Sequence, residues 1–293
     1  MKSSQVFSWY GGKGAVGLHG WIVENLPRTS STKIYCEPFL GSGSIFLSQE
    51  PYKIEILNDL DKEVVNFFRV CQDKTLFEEF HYKISFTPYA LEEFKRALNI
   101  LRTSKIGETP SVEHAWAFFV VQNQVISGLV YSGAHPSNWS KTFTCTRYMA
   151  KNVSKWHINM ERLEWFAKRI LSAQIFCMDA IECIKYCDSE KTLFYLDPPY
   201  MEETRSDTAT SVYTHETSTT LHERLVETIL NLKGSCALSG YDNSLYKELE
   251  KNGWIKISRK DKIRPRRRGN DCVEKEECLW IKYGKDGKKN FLF

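Results

Sequence analysis

The segment "TLFYLDPPY", residues 192–200, indicates the fold class of this chain. Its first five residues form a short apolar run, which is typical of a buried strand in a parallel sheet. Asp197 ends the run, and the next residues are Pro198, Pro199 and Tyr200. Taken alone, these four residues are also compatible with a plain turn that carries a surface aspartate. At the end of a parallel strand they would form a rigid corner, because neither proline can continue the ladder, at the edge where α/β sheets bind ligands.

Similar apolar runs recur along the chain and alternate with helical patterns. The other predicted strands are 33–39, 53–59, 173–179, 234–240, 253–259 and 276–283. Between two of them, Leu221, Leu225, Ile229 and Leu232 share one helical face. This alternation predicts an α/β fold with a mostly parallel sheet covered by helices, and an antiparallel strand at its C-terminal end.

The alternation breaks between about residues 70 and 160, where two helices are predicted. Thr87 is a candidate N-cap with Pro88 in the first helical position, and a second helix is expected from Ser111. The stretch that follows is rich in Ser, Thr, Lys and aromatic residues without a clean period, so we expect a hairpin or a loop there. The predicted domains are a first part of the sheet domain at 1–69, a mainly helical insert at 70–160 and a second part of the sheet domain at 161–293.

Composition limits the possible classes of protein. The chain has 293 residues, of which 26% are charged and 42% hydrophobic, as in a globular protein with a sizeable core. The formal net charge is only +4, so any nucleic-acid surface has to be local. No apolar run is long enough to span a membrane, and the first residues, "MKSSQVFSWYGGKG", lack the apolar core of a signal peptide. We therefore expect a cytoplasmic protein that does not associate with membranes.

Nine cysteines are scattered along the chain without a C-x-x-C pair. Their odd number, and the position of several inside apolar runs, favour buried and reduced thiols. We therefore expect neither a zinc site nor a disulfide framework, and no bound metal.

A glycine turn and a second strand-end carboxylate indicate a nucleoside ligand. In "EPFLGSGSIF" (37–46), Gly41 and Gly43 let the backbone turn tightly and approach a ligand closely. The segment lacks the further glycine of the dinucleotide fingerprint. Asp59 follows the next predicted strand, where its carboxylate can accept hydrogen bonds from both ribose hydroxyls. Asp59 is also placed to cap the helix that begins in "LDKEVVNFF".

Two more segments can contact the same ligand. Asp179 ends a third predicted strand, where it can bind an adenine amino group or cap the helix that follows. In "FSWYGGKG" (7–14), Trp9 and Lys13 flank two glycines, and Lys13 can pair with a ligand carboxylate. By itself, the second segment is no more than a turn.

Taken in order, these segments resemble the Dam-like DNA adenine-N6 methyltransferases of phages and prokaryotes. The shared pattern is W-x-G-G-K, then E-P-F-x-G-x-G-S-x-F, then an aspartate after a strand, then D-P-P-Y, and it is specific as a set. Two tail segments, 238–249 and 277–281, also resemble that branch, and the resemblance covers residues 7–67 and 173–283. It implies a Rossmann-like sheet that binds S-adenosylmethionine as the methyl donor, and an insert that recognises DNA.

The resemblance also implies a role for each residue of these motifs. The implied co-substrate site consists of Trp9, Lys13, Glu37, Phe39, Gly41, Gly43, Asp59 and Asp179. The implied catalytic motif consists of Asp197, Pro198, Pro199 and Tyr200. No metal is implied. The insert departs most from the family pattern, so the recognised base sequence does not follow from these motifs.

A basic segment near the C-terminus predicts contacts with DNA phosphates. Residues 256–270 carry eight Lys and Arg side chains against a single Asp261. The expected DNA-binding residues are Arg259, Arg264, Arg266, Arg267 and Arg268, together with Lys141 and Arg147 from the insert. The alternative for such a charge run is an ordinary solvated loop.

The expected function is site-specific methylation of adenine N6 in double-stranded DNA, with the target adenine flipped out of the helix. We expect a monomer, and a cognate restriction endonuclease is a further candidate partner. One alternative keeps the reaction but changes the acceptor to cytosine N4 or to a base in RNA. Another is an inactive DNA-binding protein with the same fold. The missing glycine disfavours an NAD-dependent oxidoreductase.

Overall fold

The strands of this computed structural model form one larger sheet and a short hairpin. The structure describes residues 5–9, 11–13, 17–126, 134–200, 219–263 and 273–285. The strands in this part of the chain are β1 (Ile34–Glu37), β2 (Ile54–Asn58), β3 (Cys145–Thr146), β4 (Met149–Ala150), β5 (Gln174–Phe176), β6 (Thr192–Leu196), β7 (Ser235–Gly240), β8 (Ile255–Ile263) and β9 (Val273–Lys282). The larger sheet has the strand order β5-β2-β1-β6-β7-β9-β8, and β3 pairs with β4.

Helices connect most of these strands. The α-helices of the described residues are α1 (Leu18–Glu24), α2 (Lys62–Gln72), α3 (Lys74–Ser85), α4 (Leu91–Thr103), α5 (Val112–Gln124), α6 (Lys151–Glu161), α7 (Leu163–Ile170), α8 (Ala180–Cys187), α9 (Thr219–Leu230) and α10 (Lys247–Lys251). Among them, none has both the length and the apolar character that crossing a lipid bilayer requires.

The chain divides into two units, which are described separately. Unit 1 comprises Met1–Val23, Leu40–Glu50 and Leu57–Met178. Unit 2 comprises Glu24–Phe39, Pro51–Ile56 and Asp179–Phe293. The whole predicted insert, 70–160, lies in unit 1, together with segments on both sides of it. The domain boundaries expected from the sequence stay a prediction.

The strands of unit 2 are arranged around β6, whose five residues are all buried. β6 pairs parallel with β1 and with β7, whereas β9 pairs antiparallel with β7 and with β8. The predicted α/β fold, with a mostly parallel sheet and antiparallel pairing at its C-terminal end, is confirmed. In α9, the predicted apolar face buries Leu225 and Ile229, and Leu232 just beyond the helix is buried as well. The parallel strands therefore end at one edge, where Asp197 follows β6.

Unit 1 is mainly helical, and α5 lies at its centre. Almost every residue of α5 is buried, as expected for a helix that is apolar on all sides. α2, α3 and α4 pack against it. The predicted start of this helix is confirmed, because the Ser111 hydroxyl accepts a hydrogen bond from the His114 N–H at 3.3 Å.

The predicted start of α4 is wrong. Thr87 does not cap this helix, which begins at Leu91. The Thr87 hydroxyl instead donates to the Lys83 carbonyl at 2.8 Å and accepts from the Trp116 indole N–H at 2.8 Å. The Thr87 carbonyl accepts from the Trp156 indole at 3.2 Å. Two buried indoles therefore determine the conformation at Thr87, which local sequence could not show.

An aromatic cluster around Phe67 forms the core of unit 1. The Phe67 ring has its centroid 5.3 Å from that of Phe7, 5.7 Å from Phe80, 5.9 Å from Phe119 and 5.5 Å from Phe166. These rings come from the N-terminal segment and from four helices. Burying their apolar surface therefore joins segments that are distant in sequence.

Truncation of Phe67 should be strongly destabilising. We expect Phe67→Ala to lower the free energy of unfolding by about 3–5 kcal/mol, since it leaves a cavity among the four neighbouring rings. Phe86, which is 76% exposed, is the matched control, and Phe86→Ala should change the free energy by no more than about 0.5 kcal/mol. Urea denaturation of both variants measures the difference, and equal effects would contradict the central place of Phe67.

Candidate active site

The backbone after β6 turns at Asp197, and a buried histidine holds the Pro199 carbonyl. His222 of α9 is 1% exposed, and its Nε2 lies 2.9 Å from the Pro199 oxygen. Because a carbonyl oxygen can only accept, Nε2 carries the hydrogen. In the neutral ring, Nδ1 then accepts from the Tyr246 hydroxyl, 2.6 Å away. Tyr246 and His222 together therefore fix the direction of this carbonyl.

A buried carboxylate holds the hydroxyl of Tyr200. This hydroxyl donates to Glu277 of β9, at 2.8 Å from Oε1 and 3.1 Å from Oε2. The Ser239 hydroxyl donates to the same Oε1 at 2.6 Å. The Tyr200 ring also packs on Tyr241, with centroids 4.4 Å apart and planes inclined by 36°. Both the ring and the hydroxyl of Tyr200 are therefore held.

Burial and nearby negative charge keep the two phenols of this corner protonated. Burial, followed by the charges of Asp197 and Glu277, raises the pKa of Tyr200 well above its ordinary value. Burial and then the Asp197 charge also raise the pKa of Tyr246. Both tyrosines are therefore hydrogen-bond donors at neutral pH, and the Asp197 carboxylate acts on both.

In unit 1, the glycine turn before the short 3-10 helix at Phe46–Ser48 is hydrogen-bonded to the carboxylate that follows β2. The Gly41 N–H donates to Asp59 Oδ2 at 2.8 Å. The backbone has φ of +50° at Gly41 and +63° at Gly43, which favours glycine. A Cβ atom on Gly41 would lie 2.6 Å from Cδ1 of the Trp9 indole. The structure thus brings together Trp9, Gly41 and Asp59, which were all predicted for the co-substrate site.

Asp59 does not cap the helix that follows it. Asp61 caps α2, because its Oδ1 accepts from the Glu63 N–H at 2.9 Å. The alternative interpretation of Asp59 as that cap is therefore wrong. Its carboxylate instead accepts from the N–H groups of Gly41 and Asp61. Burial, followed by the charge of Asp61, raises the pKa of Asp59 to about 7.

The other predicted co-substrate residues lie in both units. Lys13, in unit 1, is 2% exposed, and its Nζ lies 3.4 Å from the Gly11 carbonyl oxygen. Glu37 and Phe39 belong to unit 2. Glu37 is buried and accepts from the Tyr35 hydroxyl at 2.7 Å. The roles of these residues in ligand binding stay predictions.

Asp179 acts as a helix cap. Its carboxylate accepts from the N–H groups of Ile181 and Glu182, at 2.9 and 3.2 Å, at the start of α8. Arg224 of α9 lies 3.7 Å away. The capping interpretation is confirmed, and contact with an adenine amino group stays a prediction.

The insert presents an exposed hairpin that carries Arg147, and Lys141, another predicted DNA-binding residue, lies just before it. Arg147 and Tyr148 join β3 to β4 with φ of 54° and 61°, the geometry of a type I′ turn. Left-handed backbone costs about 1–2 kcal/mol per non-glycine residue. The side chains of Phe143 and Tyr148 are fully exposed, and Lys141 is exposed as well. The backbone of the two turn residues is thus strained, and cationic and aromatic side chains are accessible in and near the hairpin.

Most of the basic C-terminal segment lies outside the described residues. This applies to Arg264, Arg266, Arg267 and Arg268. Arg259 lies on β8, directly opposite Glu277 in the register of the strand pair. Lys256, at the start of the segment, pairs with Asp242 at 2.8 Å.

Three cysteines that are far apart in sequence meet in unit 2. The Sγ atoms of Cys36, Cys183 and Cys187 all lie within 4.8 Å of one another, and Cys36 is 3.9 Å from Cys183. Burial raises the pKa of Cys36, so this thiol is uncharged at neutral pH. Six of the eight described cysteines are buried, whereas Cys145 and Cys177 are exposed. The prediction of buried thiols holds for most of them.

The corner at Asp197 and the turn at Gly41 contain two of the motifs that carry the family resemblance, and comparison with known proteins agrees with this resemblance. The family model for D12 class N6 adenine-specific DNA methyltransferases matches residues 9–264. The chain belongs to this family. The resemblance stated from the motifs is thereby confirmed.

One protein similar to this chain is the DNA N-6-adenine-methyltransferase of Escherichia phage P1. It is 25% identical to this chain over 227 residues, which is 75% of this chain and 27% of the phage protein. The chain therefore spans about a quarter of the length of that relative.

Sequence reasoning gave no role at the corner to the residues that hold it, namely His222, Ser239, Tyr246 and Glu277, although the last three lie in the two tail segments that resemble the family. Two signals were available. Glu277 directly precedes the apolar run 278–281, and a buried acid requires a partner. His222 lies three residues before Leu225, on the apolar face of its helix. Neither signal identifies the partner, because each partner is distant in sequence.

The indole of Trp9 should make Gly41 sensitive to substitution. We expect Gly41→Ala to lower the free energy of unfolding by more than the cost of left-handed backbone, about 1–2 kcal/mol, because its methyl group also displaces Trp9. In a Trp9→Ala background only the backbone cost should remain. Denaturation of the two single variants and of the double variant separates the two effects.

Gly20→Ala is the matched control. Gly20 lies in α1, and a Cβ atom there meets nothing within 4 Å, so alanine should be neutral or stabilising. The steric account of Gly41 is wrong if Gly41→Ala costs the same with and without the Trp9 indole.

Proposed function

We propose that this chain is a DNA methyltransferase that transfers a methyl group from S-adenosylmethionine to N6 of an adenine flipped out of duplex DNA. The observation that carries the proposal is the corner at Asp197, where the Pro199 carbonyl and the Tyr200 hydroxyl are both held by buried side chains. Membership of the N6 adenine-specific family supports the choice of acceptor.

The corner offers the acceptors that this reaction requires. An adenine amino group is a poor nucleophile, because its lone pair is delocalised into the ring. The Asp197 carboxylate and the Pro198 carbonyl can each accept one amino hydrogen, which favours a pyramidal nitrogen with its lone pair directed outward. S-adenosylmethionine supplies the methyl group as an electrophilic sulfonium. Rate enhancement then comes mainly from positioning and from acceptors that are already oriented.

Tyr200 provides a surface for the extruded base. Flipping a base out of the helix costs a few kcal/mol, and stacking on an aromatic ring offsets part of that cost. The Tyr200 ring already packs on Tyr241, and the Tyr200 hydroxyl donates a hydrogen bond to Glu277. The ring is therefore ordered before the base arrives, so little entropy is lost on stacking.

The turn around Gly41 and Asp59 suits the nucleoside part of the co-substrate. Each Asp59 oxygen accepts a backbone N–H, and a carboxylate has further lone pairs for two ribose hydroxyls. Trp9 and Gly43 complete the turn, and Lys13 would pair with the amino-acid carboxylate. From the family resemblance, Glu37, Phe39 and Asp179 would contact the remaining polar and adenine groups.

The insert, residues 70–160, would provide DNA recognition. Arg147 and Lys141 suit phosphates or base edges, and the exposed rings of Phe143 and Tyr148 suit stacking against bases. The basic side chains of Arg259, Arg264, Arg266, Arg267 and Arg268 would add backbone contacts. Cytosine N4 and RNA are acceptors that the same corner could serve, and the test below separates them from adenine.

The first test is transfer of labelled methyl from S-adenosylmethionine to unmethylated DNA, followed by nucleoside mass spectrometry. We expect N6-methyladenine from the parent protein. Asp197→Ala and Asp197→Asn should lose at least about a hundredfold in rate, because alanine removes an acceptor that is used in the transition state and asparagine removes its negative charge. Asp73→Asn is the control, since asparagine also caps α3 at this position, and its rate should be unchanged.

Each other outcome has a distinct meaning. Methylcytosine would identify cytosine as the acceptor base, and methylation of RNA alone would identify RNA as the substrate. Transfer that persists at the parent rate in Asp197→Ala would contradict the role of the corner. Binding of S-adenosylmethionine without transfer to DNA or RNA of varied sequence would indicate a binding protein.

Asp59 should make co-substrate affinity depend on pH. Ribose hydroxyls donate to the carboxylate, whereas the unbound protein takes up a proton there as the pH falls below about 7. We therefore expect affinity for S-adenosylmethionine to be constant above that pH and to weaken by up to about tenfold per pH unit below it. Calorimetric titration at a series of pH values measures the profile.

Two controls isolate Asp59 in this experiment. Asp59→Asn should bind more weakly and without this dependence, so its profile removes any contribution from the amino group of the co-substrate. The stability of the unbound protein should decrease as the pH rises, whereas the affinity for S-adenosylmethionine should increase. Because the folded pKa lies above the ordinary value of 3.8, the contribution of Asp59 to stability falls as pH rises from about 4 to about 7. A parent profile identical to that of Asp59→Asn would exclude this role.

A further inference from the structure

We propose that Glu277 and His222 are positioning residues of the methyl-transfer site, Glu277 for the Tyr200 ring and His222 for the proline carbonyls. This assignment rests on the proposed function. Neither residue belongs to the D-P-P-Y motif, and their hydrogen bonds join that motif to β9 and α9.

Glu277 is buried, which is energetically unfavourable for a carboxylate. Glu277 is 6% exposed, and the next four residues of β9 are all buried. Burying a carboxylate costs several kcal/mol unless donors compensate it. Two of its donors are the hydroxyls of Tyr200 and Ser239, at 2.8 and 2.6 Å from Oε1. A side chain that compensates this buried carboxylate is thus the one proposed to stack on the base.

The bond to Glu277 limits how Tyr200 can move. A tyrosine ring has two rotatable side-chain bonds, and packing on Tyr241 restricts their rotation. Anchoring the hydroxyl at the far end of the ring restricts it further. Without Glu277, the ring would still pack on Tyr241 but would rotate away from the orientation that receives a base.

His222 acts on the backbone. Its Nε2–H binds the Pro199 carbonyl at 2.9 Å. The proline ring fixes φ of Pro199, so the direction of this carbonyl constrains the preceding peptide plane, which carries the Pro198 carbonyl. The Pro198 carbonyl is one of the two proposed acceptors for the amine. Tyr246, which is 2% exposed, keeps the hydrogen of His222 on Nε2.

The alternative is that these bonds only stabilise the fold, and kinetic constants distinguish the two roles. A positioning residue lowers kcat, because its effect appears when the acceptors meet the amine. A purely structural residue lowers the fraction of folded protein and leaves the kcat of the folded fraction unchanged. Rates are therefore to be normalised to the fraction that binds S-adenosylmethionine.

The test for Glu277 combines three substitutions. We expect Glu277→Ala to lower kcat by about ten- to a hundredfold while the KM for S-adenosylmethionine stays within about twofold, a loss typical of misplaced catalytic groups. Glu277→Gln should restore most of the rate, because its amide oxygen still accepts from both hydroxyls. In a Tyr200→Phe background, Glu277→Ala should cause no further loss, since the bond it supports is already absent.

Glu276→Ala is the matched control. Glu276 is an exposed carboxylate on the adjacent position of the same strand, where it bonds with Ser258. Its side chain lies on the opposite face of β9, so kcat should not change. For His222, we expect His222→Phe to lower kcat and His222→Gln to recover part of it, because glutamine restores an N–H donor.

The outcomes separate this assignment from the proposed function. An active parent protein whose Glu277→Ala and His222→Phe variants keep the parent kcat would overturn the assignment and leave the function intact. Effects of Glu277→Ala that add fully to those of Tyr200→Phe would overturn it as well. A parent protein that methylates no DNA adenine would overturn the proposed function and this assignment together.

Discussion

Two adjacent prolines impose the constraint on which the active corner depends. Pro198 and Pro199 have no N–H groups, so the backbone after β6 cannot be held by donors of its own. Its carbonyls have to be oriented by donors from other elements, and His222 supplies one of them. His222 is held in turn by Tyr246, whose ring packs edge-on against Trp280 at 4.9 Å between centroids. The direction of one carbonyl therefore depends on core packing in α9 and β9.

The corner also concentrates negative charge without losing its donors. Asp197 and Glu277 both raise the pKa of Tyr200, after burial itself. The hydroxyls of Tyr200 and Ser239 donate to the Glu277 carboxylate. Burial, followed by the charges of Asp197 and Glu277, keeps the Tyr200 phenol protonated at neutral pH, so Tyr200 remains a hydrogen-bond donor to Glu277.

The sequence predicts local features of this chain well and long-range partners poorly. Each strand of the larger sheet overlaps a predicted apolar run, and the aspartates that end three of these runs lie where the pattern placed them. Thr87 fails as a cap because two distant indoles bind it. The partner of Glu277 and the thiol neighbours of Cys36 are equally invisible, since each contact joins residues from different elements. Periodicity reports which face of an element is buried, and it does not report what that face meets.

The two contacts at the corner differ in how much movement they permit. His222 makes one hydrogen bond to a backbone carbonyl next to a fixed φ angle, so any rotation there breaks the bond or strains the proline. The Tyr200 hydroxyl lies within hydrogen-bond distance of both Glu277 oxygens, at 2.8 and 3.1 Å. A small tilt of the ring therefore exchanges one oxygen for the other and loses little energy. The acceptors of the corner are rigid, whereas its aromatic surface can adjust to an arriving base and return.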